Sequence, residues 1–116
     1  MDERINPIRI TDKKTGEVYE LDFNRESLYF ADQQEFKVNE VTVYPNTNIP
    51  RLFYYAFRKN HRKMTKAQTD SLLDRLGGLT PKMIERLILL YEQAATANRV
   101  QDEEDLEKNA DMAVEM

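Results

Sequence analysis

The chain has 116 residues, a length that fits one domain with one modest hydrophobic core. It contains no cysteine and a single histidine, His61, which excludes disulfides, thiolate metal sites, thiol nucleophiles and sites that need two imidazoles. The longest apolar run, Leu87 to Tyr91, is far shorter than the about 20 residues of a membrane-spanning helix. No signal peptide is evident, so we predict a soluble intracellular protein without a membrane partner.

The formal net charge of −4 is unevenly distributed along the chain. Residues 101–116 contain seven acidic residues and one lysine, a net charge of −6, so residues 1–100 carry +2. The few large apolar residues of this segment are too scattered to form a core. We therefore predict a single α+β domain over residues 1–100, followed by an acidic mobile tail over residues 101–116.

The first element is predicted to be a β-hairpin over residues 8–23. A polar segment with Gly16 supplies the turn, and apolar residues alternate with polar ones on both sides of it, at Ile8, Ile10, Tyr19, Leu21 and Phe23. This alternation buries one face of the hairpin. An isolated two-stranded hairpin is marginally stable in water, so we expect it to pack on other elements.

A bundle of about four helices is predicted to follow, over residues 24–34, 49–60, 65–76 and 80–98. Asn24 and Thr65 are favourable N-caps, Gly77 is a favourable C-cap, and Thr80 precedes a proline at the first helical position. Pro50 is placed in the first turn of the second helix, where proline is tolerated. The valines between residues 37 and 44 leave two alternatives open, a short third strand near residues 41–44 or a loop.

Catalysis and metal binding find little support in the sequence. His61 lies in a charged segment just after a helix, where a lone histidine is usually solvated or a helix C-terminal charge. The paired carboxylates lie in the acidic tail, where nothing desolvates them, and the spaced ligands and central glycine of a calcium loop are missing. We predict a protein that is not an enzyme and that uses no cofactor and no metal.

Nucleic-acid binding is the minor alternative. Residues 65–76 and 80–98, joined by Gly77 and Gly78, could form a helix-turn-helix, and basic residues are frequent between 51 and 66. However, the second of these helices soon becomes apolar, whereas a recognition helix needs polar side chains for base edges. This composition and the acidic tail argue against a nucleic acid as the partner.

Protein binding is the function that the sequence favours. If the apolar residues of the second helix face the core, its other side carries tyrosine and arginine, which are typical of interface hot spots. The apolar stripe of the fourth helix is wide enough to leave one side for a partner. The candidate binding residues are Arg51, Tyr54, Tyr55, Arg58 and Arg62 on the second helix and just after it, and Met83 and Leu90 on the fourth. If this tyrosine–arginine face is exposed, replacing Tyr54 and Arg58 together by alanine should leave the stability of the fold unchanged. The alternative is that another part of the chain covers the tyrosines.

One family resemblance covers nearly the whole chain. It rests on the segment from Ile49 to Lys59, on residues 65–79 with Gly-Gly-Leu, on the hairpin end from Tyr19 to Glu26, and on the acidic tail. In these features the chain resembles the tail assembly chaperones of long-tailed phages and prophages of Gram-positive bacteria. The candidate binding residues come from helical periodicity and not from this resemblance.

The resemblance implies a small non-catalytic protein in the cytoplasm of the bacterial host. Its implied partners are the tape measure protein, which it binds and keeps soluble, and the tail tube protein, whose subunits it helps to recruit. It also implies a homo-oligomer that is absent from the mature virion. The alternative function is a small phage DNA-binding or regulatory protein with the helix-turn-helix-like pair.

Overall fold

The computed structural model describes residues 4–97 together with residues 115 and 116. Within this part of the chain, a β-hairpin precedes four α-helices, which confirms the predicted α+β fold class. The predicted tail, residues 101–116, lies outside the described residues except for its last two. In chain order the elements are β1 (Ile8–Thr11), β2 (Val18–Leu21), α1 (Arg25–Gln33), a 3₁₀ turn (Val38–Glu40), α2 (Pro45–Ala56), α3 (Lys66–Leu76) and α4 (Pro81–Thr96).

The hairpin is antiparallel, with Ile8 opposite Leu21 and Ile10 opposite Tyr19. Its turn is closed by Asp12, whose carboxylate accepts a hydrogen bond from the Lys14 N–H at 2.9 Å. Local bonding of this kind is why aspartate favours turns. The same carboxylate receives two hydrogen bonds from the Arg75 guanidinium in α3, at 2.7 and 2.8 Å. These bonds hold the pKa of the Asp12 carboxyl well below its usual range and join the hairpin turn to the helices.

The outer edge of β2 is covered by the chain that leaves α2. The Asp22 N–H donates to the Ala56 carbonyl at 3.0 Å, and the Glu20 N–H donates to His61 Nε2 at 2.9 Å. The prediction that His61 is a solvated residue or a helix C-terminal charge is therefore wrong, because its ring accepts a backbone hydrogen bond and packs edge-on against Tyr19. These bonds satisfy backbone groups that an open strand edge would expose.

The predicted capping residues of three helices are confirmed. The Asn24 and Thr65 side chains each accept a hydrogen bond from the backbone N–H three residues later, in capping boxes. Thr80 caps α4 ahead of the proline at the first helical position, and Gly77 ends α3 in the left-handed region at φ 77°. Local sequence signals therefore place these helix ends correctly.

The boundaries predicted for the second helix are wrong at both ends. The helix α2 begins at Pro45 instead of residue 49, so Pro50 lies inside it and not in its first turn. It ends at Ala56 instead of residue 60. The reason is tertiary: Lys59, Asn60 and His61 bond to the hairpin, with Lys59 Nζ 2.6 Å from the Asp22 carboxylate.

The short third strand near residues 41–44 is also absent from the described part of the chain. Val38–Glu40 forms a 3₁₀ turn, and the N–H groups of Val43 and Tyr44 both bond to the Glu40 carbonyl. Backbone groups that a strand would pair across a sheet are therefore satisfied locally. Val41 is buried and Val43 is exposed, so the valines supply one core side chain without a strand.

A single core lies between the hairpin and the helices, with α2 in contact with α1, α3 and α4. Phe53, Phe57, Leu87 and Leu90 are among its fully buried side chains. The whole core comprises Tyr19, Leu21, Phe23, Leu28, Ala31, Phe36, Val41, Leu52, Phe53, Tyr55, Ala56, Phe57, Leu87, Leu90, Tyr91 and Ala94. Burial raises the pKa of Tyr91 to about 12.

Candidate protein-binding site

The first candidate surface is the outer side of α2, which we call the α2 face and define by Arg51, Tyr54, Tyr55, Arg58 and Arg62. The structure brings these residues together along α2 and the loop after it. However, α1 packs directly over them. Most of these side chains therefore make their hydrogen bonds, ion pairs and ring contacts within the chain.

Arg51 donates hydrogen bonds to three other residues, two of them in α2 and one just after α1. Its guanidinium donates to the carbonyl of Gln34 after α1, to the Tyr55 hydroxyl at 3.2 Å and to the Asn48 side chain at 3.4 Å. It also lies over the Phe36 ring, with 5.3 Å between the guanidinium carbon and the ring centroid. Arg51 therefore connects the end of α1 to α2.

The prediction that Tyr55 points outward is wrong. Only 3% of Tyr55 is exposed, and its ring packs edge-on against Phe36 and Phe30, with centroids 5.0 and 5.9 Å away. Tyr54 is half-buried and contacts Phe30 at 6.1 Å between centroids. Edge-on aromatic pairs at these distances are stabilising, so both tyrosines contribute to the contact between α1 and α2.

Arg58 and Arg62 share one partner on α1, the Glu26 carboxylate. Arg58 Nη2 lies 3.0 Å from Glu26 Oε1, and Arg62 Nη2 lies 2.6 Å from the same oxygen. The Arg58 guanidinium also lies 3.9 Å from the centroid of the Phe30 ring. Hydrogen bonds from Arg58, with a smaller contribution from Arg62, lower the pKa of Glu26. Of the two arginines, Arg62 remains the more exposed.

Of the two candidates on α4, Leu90 is placed differently from the prediction. Leu90 is fully buried and belongs to the core, so its assignment to an outer stripe is wrong, while Met83 is half-buried. The buried stripe of α4 consists of Leu87, Leu90, Tyr91 and Ala94, at the i, i+3, i+4, i+7 spacing of one helical face. Ile84 and Ile88, which helical periodicity groups with Leu87, are half-buried and lie beside this stripe.

Ile84 and Ile88 instead line a groove that the helical periodicity did not locate. It has a volume of about 390 Å³ and an almost entirely apolar lining, and we call it the α4 groove. Leu89, which is 40% exposed, forms part of the groove. Thr42 lines it as well, and the two residues after Thr42 in the chain, Val43 and Tyr44, are exposed. Its lining residues are Thr42, Pro81, Ile84, Glu85, Ile88 and Leu89.

A second cavity of about 440 Å³ adjoins the α4 groove, because Glu85 and Leu89 line both. The N-terminal segment forms its other wall. That segment is held on α4 by Gln93, whose Oε1 accepts a hydrogen bond from the Ile5 N–H at 2.7 Å. Its basic lining residues, which we call the cationic rim, are Arg4, Lys82 and Arg86. Within residues 4–97 none of the three forms an ion pair.

A third cavity of about 470 Å³ lies around His61 and contains mostly polar side chains. The imidazole is already bonded to the β2 backbone, which leaves it poorly placed as a general base. The described residues contain no group of three or more histidine and carboxylate side chains close enough to hold a metal ion. In the same part of the chain, every helix is too short or too polar to cross a bilayer.

One sequence signal could have found the α4 groove. Apolar residues cover so much of α4 that one core contact could not bury them all, and this predicted a free side of the helix. Helical periodicity groups Ile84 and Ile88 with Leu87 on one stripe, whereas the fully buried residues of α4 are Leu87 and Leu90. When the apolar arc is wide, periodicity does not show which part of it faces the core.

The whole chain, residues 1–116, matches the family described as domain of unknown function DUF5055, and it belongs to that family. Comparisons with curated proteins and with solved structures gave no match.

Proposed function

We propose that this member of the DUF5055 family is a non-catalytic phage tail assembly chaperone, which binds and solubilises the tape measure protein and helps to recruit tail tube subunits. The observation that carries the proposal is the α4 groove, an open apolar surface beside a well-packed core. Grooves of this kind bind the apolar face of an amphipathic helix. The resemblance to tail assembly chaperones supplies the identity of the partners.

The size of the groove fits a chaperone that must later leave its partner. A volume of about 390 Å³ holds only a few side chains, and one such contact is smaller than a standard protein interface. Many copies bound along one long helical protein would gain avidity, especially if the chain self-associates. We therefore propose a homo-oligomer that acts in the bacterial cytoplasm and is absent from the mature virion.

Co-expression with the tape measure protein tests the proposal. We expect the parent chain to keep that protein soluble and the double variant Ile84→Gln with Leu89→Gln to lose this effect. Glutamine keeps the helix propensity and removes the apolar lining. The matched control is Val18→Gln with Leu76→Gln, which changes two apolar residues outside the groove that are about as exposed as Leu89.

The outcome is read together with the thermal midpoint of each variant. If the groove variant folds normally and still solubilises the tape measure protein, the proposed binding site is wrong. If the control variant also fails, the effect comes from general surface hydrophobicity. Mass spectrometry of infected cells and purified particles tests the location, since the proposal expects the chain in the cells and not in the particles.

The alternative function, a DNA-binding or regulatory protein, is favoured by one observation. Lys82 and Arg86 lie on the exposed side of α4 without ion pairs among the described residues. However, α3 packs chiefly against α2, and the groove beside Lys82 and Arg86 on α4 has an apolar lining. A gel shift on random duplex at low salt separates the two functions, because DNA binding would be tight and would weaken steeply with salt.

A further inference from the structure

We infer that the α4 groove selects an amphipathic helix whose apolar stripe is flanked by acidic side chains. The inference rests on the proposed function in taking the groove as the partner site, and it adds the charge of the partner. The observation behind it is the cationic rim, Arg4, Lys82 and Arg86, which adjoins the groove.

The rim and the groove form one continuous surface. Glu85 and Leu89, one helical turn apart, line both cavities and separate the basic side from the apolar side. Lys82 and Arg86 are also one turn apart and therefore project from the same side of α4. Arg4 is brought to them by the two hydrogen bonds between Ile5 and Gln93. A helix lying in the groove would carry its flank past all three cations.

Within residues 4–97 the three rim cations form no ion pair, whereas several other basic residues of the chain do. Arg58 and Arg62 share Glu26, Lys66 pairs with Asp70, and Arg75 pairs with Asp12. At the rim, within residues 4–97, the only lining carboxylate is Glu85, which leaves two net positive charges. Carboxylates on a docked helix would form charge-assisted hydrogen bonds at the partly desolvated edge of the groove.

Helical peptides that share one apolar stripe test the inference directly. Three versions of the peptide, each held helical by an internal cross-link, carry glutamate, glutamine or lysine at the flanking positions. Fluorescence anisotropy measures the dissociation constant of each peptide for the full chain. We expect the glutamate peptide to bind at least about tenfold more tightly than the lysine peptide at low salt. This preference should shrink in about 0.5 M salt. The Debye length there is about 4 Å, so the attraction between exposed charges is largely screened.

Charge reversal at the rim should invert the preference. In the variant Lys82→Glu with Arg86→Glu, we expect the lysine peptide to bind more tightly than the glutamate peptide. The matched control is Lys13→Glu with Lys14→Glu in the hairpin turn, which changes the net charge equally at exposed positions away from the groove. It should keep the glutamate preference.

Each other outcome has a distinct meaning. If all three peptides bind equally and Ile84→Gln with Leu89→Gln abolishes binding, the groove binds helices without charge selection, and this inference fails while the proposed function stands. If no peptide binds and the groove variant still solubilises the tape measure protein, the proposed function fails as well.

The remaining outcomes also overturn the inference. An equal effect of the control variant would show that the peptides respond to total charge. A synthetic peptide of residues 101–116 that displaces the glutamate peptide with higher affinity would identify the acidic segment of the chain as the occupant. Loss of self-association in the rim variant, with only weak binding of any peptide, would identify a second copy as the occupant.

Discussion

The outer sides of α2 and α4 both combine apolar or aromatic side chains with cations, but they differ in what lies over them. On α2, helix α1 covers the aromatic rings, and Glu26 forms ion pairs with two of the arginines. On α4, the apolar groove is open, and the rim cations have no ion pair among the described residues. The composition of a binding hot spot thus serves an internal contact in one place and remains available in the other.

The largest expected difference between the two surfaces concerns single side chains. We expect Tyr55→Ala to lower the free energy of unfolding by about 3–5 kcal/mol, because it removes a buried ring and the hydroxyl that Arg51 bonds. Leu89→Ala on the open groove should cost less than about 1 kcal/mol. Urea unfolding measures both, and equal losses would contradict the distinction between a covered and an open surface.

A double substitution sharpens the same comparison. We expect Tyr54→Ala with Arg58→Ala to lower the free energy of unfolding by about 2 kcal/mol, since both side chains pack on Phe30 and Arg58 pairs with Glu26. The sequence alone predicted no change in stability here. The matched control, Met83→Ala with Arg86→Ala on α4, should cost less than about 1 kcal/mol. A similar loss of unfolding free energy in the control would contradict the distinction between the covered α2 face and the open side of α4.

A smaller effect is expected from the ion pairs that Glu26 forms with the α2 face. We expect Glu26→Gln to cost less than about 1 kcal/mol at pH 7, because the carboxylate is partly exposed and its ion pairs are screened by water. The pKa of Glu26 is lowered in the folded state, so its stabilisation is present above the unfolded pKa of about 4.3 and is lost as the pH falls through the folded pKa.

The difference in thermal midpoint between the parent and Glu26→Gln should therefore shrink as the pH falls below about 4. Glu85→Gln is the control on α4, where no ion pair involves this carboxylate within residues 4–97, and it should change the midpoint little at pH 7. A difference between parent and Glu26→Gln that stays constant down to pH 3 would mean that the ion pairs do not stabilise the covered face.

The smallest expected effect concerns the turn that ends α1 on the α2 face. Glu35 is in the left-handed region at φ 58°, where it lets the Phe36 N–H bond to the Ala31 carbonyl at 3.1 Å. We expect Glu35→Gly to raise the free energy of unfolding by about 0.5 kcal/mol, because glycine relieves the left-handed strain at some cost in chain entropy. Destabilisation in urea unfolding would contradict this account of the turn.

Much of the fold could be predicted from local sequence. The alternation around Gly16 predicted the hairpin, and the capping residues Asn24, Thr65 and Thr80 predicted where three helices begin. These signals are local because a turn or a cap satisfies backbone groups only a few residues away. They act before any tertiary contact forms, so a single sequence is enough to identify them.

The tertiary structure alone decided which candidate surface stayed open. Burial of Tyr55 requires α1 to cross α2, and the end of α2 depends on bonds from His61 to a strand about 40 residues earlier. The groove beside Ile84 likewise depends on which side of α4 packs against α1 and α2. Periodicity along one helix shows how wide its apolar arc is, but the direction in which that arc faces is set by the helices packed against it.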